Sequence, residues 1–305
     1  MINFRNYPNM TKCVIPNKVQ LSTNNFNNSF SNMRNLKNIE LSNKITNMSI
    51  ACYNCVNLTA AVCGPNVTNM YSAYQYCYNL TTAVCGENVT NMASAYSDCV
   101  NLTTAVCGPN VINMASAYIY CTNLTTAVCG PNVTNMYSTY MSCNNLTTAV
   151  CGPNVINMWY TYRYCNNLTI AVCGNKVTTM VNAYGGCPNL KVAVCGPNVT
   201  DMSYAYTNSA NIQGNTYFYS NYINKLDRCF NNRSPLNMLN IYVHGGTTTN
   251  TSIYNALLVG TTITWTQDAT NNCFYNTQYN IYIYPVANVD AARIANGDPD
   301  YMGNL

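Results

Sequence analysis

The chain has 305 residues, 7% of them charged and 48% hydrophobic, with 18 cysteines, 27 tyrosines and one histidine. That composition excludes a charged disordered tail, and no run of about 18 apolar residues exists from which to build a membrane-spanning helix. A net charge of +4, from 13 basic and 9 acidic residues spread along the chain, is too weak for a phosphate-binding footprint, so neither nucleic acid nor membrane insertion is expected.

Residues 1–22 read as an N-terminal segment or cap. The opening Met-Ile-Asn-Phe-Arg-Asn-Tyr-Pro-Asn-Met lacks the apolar stretch of a secretory leader, so the expectation is synthesis in the cytoplasm. Acceptor patterns for glycosylation such as Asn57-Leu-Thr59 and Asn66-Val-Thr68 recur at turn positions, where glycans would split the fold, which points the same way.

Residues 23–212 carry a 22-residue period without insertions. Leu58, Leu80, Leu102, Leu124, Leu146, Leu168 and Leu190 form one register, and Met48, Met70, Met92, Met114, Met136, Met158, Met180 and Met202 another. Two cysteine registers accompany them, one from Cys55 to Cys187 and one from Cys63 to Cys195. The unit reads V-T-N-M-x-x-x-Y-x-x-C-x-N-L-T-T-A-V-C-G-P-N, and a degenerate earlier copy places Phe26, Phe30, Met33, Leu36 and Ile39 in equivalent positions. A fixed length without insertions means one solenoid coil per unit, because equivalent side chains must stack on one another to pack. Leu-Thr-Thr-Ala-Val-Cys predicts a short strand ended by Gly-Pro-Asn, and Met-x-x-x-Tyr-x-x-Cys predicts a short helical or 3₁₀ segment.

At these residues the chain resembles the BspA-like leucine-rich repeats of bacterial and protist surface proteins, including a mycoplasma variety with V-T-N-M-x-x-x-F-x-x-C-x-N-L-T. Tyr stands here where that family has Phe, and Ala and Cys occupy strand positions that are normally leucine or isoleucine, which implies a slimmer core beneath the strand. The resemblance implies a leucine-rich-repeat-like α+β solenoid, with adhesion or recognition and no catalysis; many members carry a signal and a wall anchor, and neither pattern is seen here.

After about residue 213 the period stops. Residues 237–243, 261–266 and 280–284 read as strands, with a short helix over 252–259 capped by Thr251 or Ser252, so residues 213–305 are expected to form a small α+β or β cap or attachment domain.

The chemistry-bearing residues favour binding over catalysis. Cys52-x-x-Cys55 is a lone C-x-x-C with Cys52 at the tyrosine position of the repeat, which reads as core substitution and not as zinc, and no cofactor is expected. His244 has no carboxylate partner nearby in sequence, no acidic residue recurs with the period, and Asp298-Pro-Asp300 reads as a solvated tail. The cysteines read as reduced, buried thiols. Between residues 45 and 175 the only charged side chains are Glu87, Asp98 and Arg163. If Leu, Ala and Cys of each strand point inward, Thr82, Val84, Thr104, Val106, Thr126, Val128, Thr148 and Val150 form outward columns on a flat uncharged face. Tyr71, Tyr137 and Trp159 follow the Met register, and Tyr76, Tyr120 and Tyr164 precede the Cys register; such aromatics stack on sugar rings or anchor protein partners, unless they merely follow an Asn- and Tyr-rich composition.

The expectation is a non-enzymatic structural or recognition protein of a phage particle, in its tail, fibre or capsid decoration, with other proteins of a larger assembly, a second copy of itself or a glycan as partner. A surface adhesin exported without a leader is the rival reading, and a glycan-active enzyme a more distant one, since the repeat places no carboxylate pair.

Overall fold

The computed structural model describes residues 3–149, 151–220, 222–244 and 263–300. They form two compact units, residues 1–146 and 147–305. The helix expected over 252–259 and Val150 of the expected outward face lie outside the described residues.

In the first unit, β1 (Lys12–Val14) pairs in parallel with β2 (Asn38–Glu40), placing Cys13 beside Ile39. Phe4 stacks on Phe30 with ring centroids 4.6 Å apart and meets Phe26 edge-on at 6.4 Å. The N-terminal segment thus covers the first degenerate coil with aromatic surface. Beyond it the period works as stacking requires: Met48, Met70, Met92, Met114 and Met136, with Leu58, Leu80, Leu102, Leu124 and Leu146, are fully buried. Chemically identical side chains on successive coils fill the same space, so no coil needs a packing solution of its own.

The Met-x-x-x-Tyr-x-x-Cys segments are not helices. They are consecutive turns whose amides alternate in direction. Met70, Ser72, Tyr74 and Tyr76 donate to Asn91, Ala93, Ala95 and Ser97 of the next coil at 2.8–2.9 Å, whereas Ala73 and Cys77 donate back to Met70 and Tyr74. A helix would spend every amide inside its own segment and leave none for the neighbouring coil. Apolar spacing at i, i+4 and i+7 cannot separate the two arrangements, because both bury one side. Alternation forces left-handed backbone at two positions per coil, such as Ser72 (φ 50°) and Tyr76 (φ 63°).

The expected strands are shorter than the sequence pattern. In the first unit they reduce to β3 (Thr104–Ala105), paired with β4 (Thr126–Ala127), and to an isolated bridge from Thr82 to Thr104. At the valine where the ladder stops, a buried tyrosine bonds the peptide groups; in the second unit Tyr184 also donates to the Val172 carbonyl at 3.0 Å while Val172 stays paired with Val194, so the bond accompanies the short strands and does not by itself end a ladder. Tyr96 Oη donates to the Val84 carbonyl at 2.6 Å and accepts the Val84 amide at 3.2 Å; Tyr74 does the same at Val62, and Tyr118 donates to Val106 at 3.1 Å. Tyr74, Tyr96, Tyr118 and Tyr140 stack with centroids 5.5–5.6 Å apart. Tyr in place of Phe therefore fits the small Ala and Cys of the strand: the ring occupies the room, and the hydroxyl bonds the strand backbone.

In the second unit the strands are better developed. β5 (Ile170–Val172), β6 (Val192–Cys195), β7 (Gly214–Phe218), β8 (Leu239–His244), β9 (Thr266–Asp268), β10 (Cys273–Asn276) and β11 (Ile281–Val286) form one sheet, in the order β5-β6-β7-β8-β11-β10-β9. All neighbours are parallel except β11-β10 and β10-β9. The sheet continues across residue 213, where the sequence period ends. Val172 pairs with Val194, Val194 with Tyr217, Gly214 with Leu239 and Leu239 with Ile281, so the spacing lengthens from 22 to 23, 25 and then 42 residues while the stacking goes on. On the turn side, Met202, Tyr204 and Tyr206 still donate to Lys225, Asp227 and Cys229, and Phe230 takes the tyrosine's place at 5.4 Å from Tyr206. Insertions hide the period without ending the coil. Helix α1 (Val289–Ala295), capped by Asn288, packs near β7 and β8 and was not anticipated.

None of the 18 cysteines is in a disulfide; they are buried as expected except Cys63, Cys85, Cys107 and Cys129, which are half-buried. In one register the thiol donates to a carbonyl of the preceding coil, as from Cys99 to Tyr74 and from Cys121 to Tyr96, each at 3.1 Å. Ser209, which takes the cysteine's place one coil after Cys187, makes the same bond to Tyr184 at 2.9 Å. In the other register each Sγ sits over the glycine of the next coil: a Cβ on Gly108 would lie 2.9 Å from Cys85 Sγ and 2.7 Å from the Gly86 carbonyl oxygen. The Cys-Gly pair is thus one packing device spread over two coils. Burial pushes the Cys85, Cys107 and Cys187 thiols up to about 12 and Cys99 and Cys121 well above their ordinary value.

Candidate recognition surface

The surface is built from the asparagine before each methionine outward. Asn91 Oδ1 accepts the Ala93 amide at 3.1 Å, and Asn113 and Asn135 cap the same turn in their coils. Asn91 Nδ2 donates to Asn69 and Asn113 Nδ2 to Asn91, at 3.3 and 3.4 Å. Each turn is therefore held twice, within its coil and to the preceding one. Residues beside it are displayed at fixed spacing, about 4.8 Å per coil.

Thr82, Val84, Thr104, Val106, Thr126 and Val128 are exposed on the first unit, with the valines 44%, 50% and 57% accessible. Ala83, Ala105 and Ala127 between them are buried. This face is uncharged and half apolar.

The aromatics occupy two further registers. Tyr71 and Tyr137 are exposed on the first unit, with Ala93 and Ala115 in the intervening coils, and Trp159 is exposed on the second. Tyr76, Tyr120 and Tyr164 share the left-handed position before the cysteine, with φ of 63°, 61° and 62°. Equivalent positions in other coils hold Asn54, Asp98, Ser142, Gly186 and Asn208. Asn, Asp and Gly tolerate that backbone; a tyrosine there costs of order 1 kcal/mol.

Around Tyr76 the structure gathers residues that sequence reasoning passed over. Tyr53 meets Tyr76 edge-on at 5.3 Å and 89°, and Tyr78 meets it at 6.3 Å and 66°. Asp98 stands on the next coil, where the Tyr76 amide bonds the Ser97 carbonyl, and Tyr120 on the coil after, where the Asp98 amide bonds Ile119. Ser97 Oγ donates to Asp98 at 2.7 Å, and partial burial lifts the Asp98 carboxyl despite that bond. The available signal was the occupancy of a left-handed register by large residues, visible only once the turn geometry is known.

On the second unit cations lie against tyrosine rings. Arg163 lies 4.5 Å from the Tyr164 ring centroid and 5.3 Å from that of Tyr160, and donates to Tyr164 Oη at 2.7 Å. Arg228 lies 5.5 Å from the Tyr204 ring and donates to its hydroxyl at 2.9 Å. Tyr164 also leans over Gly186, where a Cβ would fall 2.4 Å from its ring.

Asp298 is not in a solvated tail. Tyr217 Oη and Asn215 Nδ2 donate to it, Asn240 donates to Asn215, and Tyr217, Tyr242 and Tyr284 stack across β7, β8 and β11. His244 is exposed at the end of β8. Among the described residues no helix is long and apolar enough to cross a membrane, and no group of three His, Cys, Asp or Glu side chains converges as a metal site would require.

No curated protein matches the chain. Among solved structures, a leucine-rich repeat protein from Bacteroides ovatus is similar at 11% identity and a TM-score of 0.54, over 77% of this chain and 74% of its own. A leucine rich cell surface protein from Faecalibacterium prausnitzii aligns at 15% identity and a TM-score of 0.39, over 83% and 92% of the two chains. The first likeness concerns the fold alone. The profile of the BspA type leucine rich repeat region, in 6 copies, matches residues 2–115, 70–191 and 158–281. With nearly the whole described chain inside those matches, the protein belongs to the BspA type leucine rich repeat family.

Proposed function

We propose that this chain is a non-enzymatic recognition element of a larger particle, binding a partner through its exposed aromatic registers. The observation that carries this reading is the placement of Tyr76, Tyr120 and Tyr164 on left-handed backbone, where asparagine serves other coils without strain. Backbone strain concentrates where a side chain does something besides fold. The flat Thr and Val face supplies a second, uncharged surface for packing against a neighbour in the assembly.

The particle we infer is a virion. Support comes from the thiols: a core that uses protonated cysteines as hydrogen-bond donors to stacked carbonyls is suited to assembly in a reducing compartment, and a virion leaves such a compartment by lysis. Antibodies raised against the recombinant protein should label nucleic-acid-containing particles from the native source, and alkylation before denaturation should leave most cysteines unmodified, whereas alkylation after denaturation without a reductant should modify all 18. Labelling confined to the cell envelope, with the cysteines paired, overturns the virion reading in favour of an exported adhesin.

A further inference from the structure

The molecule contains two versions of one surface. On the second unit Arg163 fills the space beside Tyr160 and Tyr164, at 5.3 and 4.5 Å from their rings, and Arg228 lies 5.5 Å from the ring of Tyr204, which stands in the register of Tyr160 and not in that of Tyr164. Arg163 occupies the register of Tyr53, Gln75 and Ser97, and Tyr164 that of Tyr76, Asp98 and Tyr120. The chain thus shows what its tyrosine registers accept when a cation is within reach: a guanidinium against the ring face, with a donor on the hydroxyl.

On the first unit the corresponding coils offer more and hold nothing positive. Tyr53 and Tyr78 pack edge to face with Tyr76, which gathers three rings at one spot in different orientations; a cation is attracted by a ring face and not by its edge. Asp98 adds a carboxylate one coil along, and Tyr120, 43% exposed, stands on its far side. Asp98 accepts from Ser97 but has no cationic partner among the described residues, and no Lys or Arg occurs between residues 45 and 162 to supply one. A partly buried carboxylate between tyrosines, in a stretch with one other acid, Glu87, is an electrostatic half without its complement.

We infer that Tyr53, Tyr76, Tyr78, Asp98 and Tyr120 form a binding site for an organic cation, either a lysine or arginine side chain of a partner or a quaternary ammonium group. The rings supply quadrupole attraction and apolar contact, and Asp98 supplies the counter-charge. A metal ion fits badly, since one carboxylate among phenols gives few oxygen ligands. The inference rests on the aromatic-register reading above and names what those registers recognise.

The repeat itself provides variants that separate binding from folding. Asn54 and Asn208 hold the left-handed position elsewhere, so Tyr76→Asn and Tyr120→Asn remove a ring while relieving backbone strain, and Asp98→Asn removes the charge while keeping an acceptor for Ser97. The intact protein is titrated with tetramethylammonium and, separately, with N-acetyl-arginine methylamide and N-acetyl-lysine methylamide, following the tyrosine resonances by NMR. Saturable binding to wild type is expected, weakened about tenfold by Tyr76→Asn or Asp98→Asn, with a melting temperature equal to or above wild type. Glu87→Gln, which removes the other acid, should leave binding unchanged. Preference for tetramethylammonium assigns a quaternary ammonium ligand, and preference for the arginine or lysine probe assigns a partner side chain. Absence of saturable binding to all three probes, or equal loss in Glu87→Gln, overturns the inference. If these probes fail while a neutral glycan binds in a manner lost on Tyr76→Asn, the aromatic-register reading survives and the cation assignment does not.

Discussion

The regular coils between residues 45 and 146 and the C-terminal stretch from residue 214 onward use the same stacking but hold it together in different ways. In the regular coils one solution is repeated: methionine, leucine and tyrosine columns, a thiol on a carbonyl, a glycine under a sulfur. After residue 214 the columns thin out, and single-use polar side chains take over. Arg233 is the clearest of these. It stands one coil after Ser209, near the place of the cysteine, and its guanidinium donates to the carbonyls of Ile212, Ser234, Asn237, Tyr279 and Asn280. Burial lowers its pKa to about 10. A repeat can satisfy its backbone by copying, because each coil presents the next with the same groups; where the coil length changes, the freed carbonyls need a long donor of their own.

The comparison breaks most completely at high pH. Thiols and tyrosines in the regular coils hold their protons more tightly folded than unfolded: Cys85 and Cys107 are raised by burial from 9.0 to about 12, and Tyr96 and Tyr118 are raised well above 10.0. The unfolded chain gives up those protons first. Stability is therefore full below pH about 9 and is lost as pH rises toward about 12, with many identical groups contributing in one window. The tyrosinate absorbance of the stacked, buried column should appear only together with loss of the far-ultraviolet signal, in one cooperative step. Titration of all 27 tyrosines with the signal intact would mean that the tyrosine column is open to water.

Met114→Asp attacks the copied solution directly. Met92, Met114 and Met136 lie in one fully buried column, so an aspartate there is a charge without partner, costing at least about 3 kcal/mol. Denaturant titration should show a midpoint shifted far below wild type, and an unchanged midpoint would place the methionine column on the outside. Arg233→Leu attacks the single-use solution. It leaves several carbonyls without a donor at an expected cost of about 2–4 kcal/mol, and Arg233→Lys should recover part of it. Equal stability of the leucine variant would show that water replaces the guanidinium.

How much of this could be read from the chain follows the same division. Period, inward columns and outward Thr and Val were legible, because a fixed 22-residue spacing leaves stacking as the only packing solution. The Met-x-x-x-Tyr segment was misread as helical because burial periodicity reports which side faces in, not where the amides point. The bond beside the short strands joins Tyr96 to Val84, which lie 12 residues apart and carry no local signal. Past residue 213 the stacking continued under a lengthened spacing, from 22 to 25 residues between strands, that a search for exact period reads as an ending. Of the site, Tyr76 and Tyr120 were named for being aromatic; Tyr53, Tyr78 and Asp98 were missed, since their relation to Tyr76 depends on left-handed turns.

The smallest expected effect separates the two kinds of coil most finely, because one substitution has opposite consequences in each. Tyr96→Phe removes a hydroxyl that donates to Val84 at 2.6 Å and accepts its amide at 3.2 Å, so two backbone groups lose their partner and stability should fall by about 1–2 kcal/mol. Tyr206 occupies the same column position beside the developed sheet, and there β6 has already claimed the strand: Val172 pairs with Val194, and the Val194 carbonyl accepts the Cys173 amide at 3.4 Å. The Tyr206 hydroxyl is buried without a hydrogen-bond partner, and the next coil already carries Phe230 at this position. Tyr206→Phe should therefore leave stability unchanged or raise it by up to about 1 kcal/mol, since an unpaired buried hydroxyl is a liability that phenylalanine removes. Thermal melts of the two variants side by side read the difference. If both lose stability equally, the hydroxyl acts through something common to all coils, and the bond to the valine peptide is not what distinguishes Tyr96 from Tyr206.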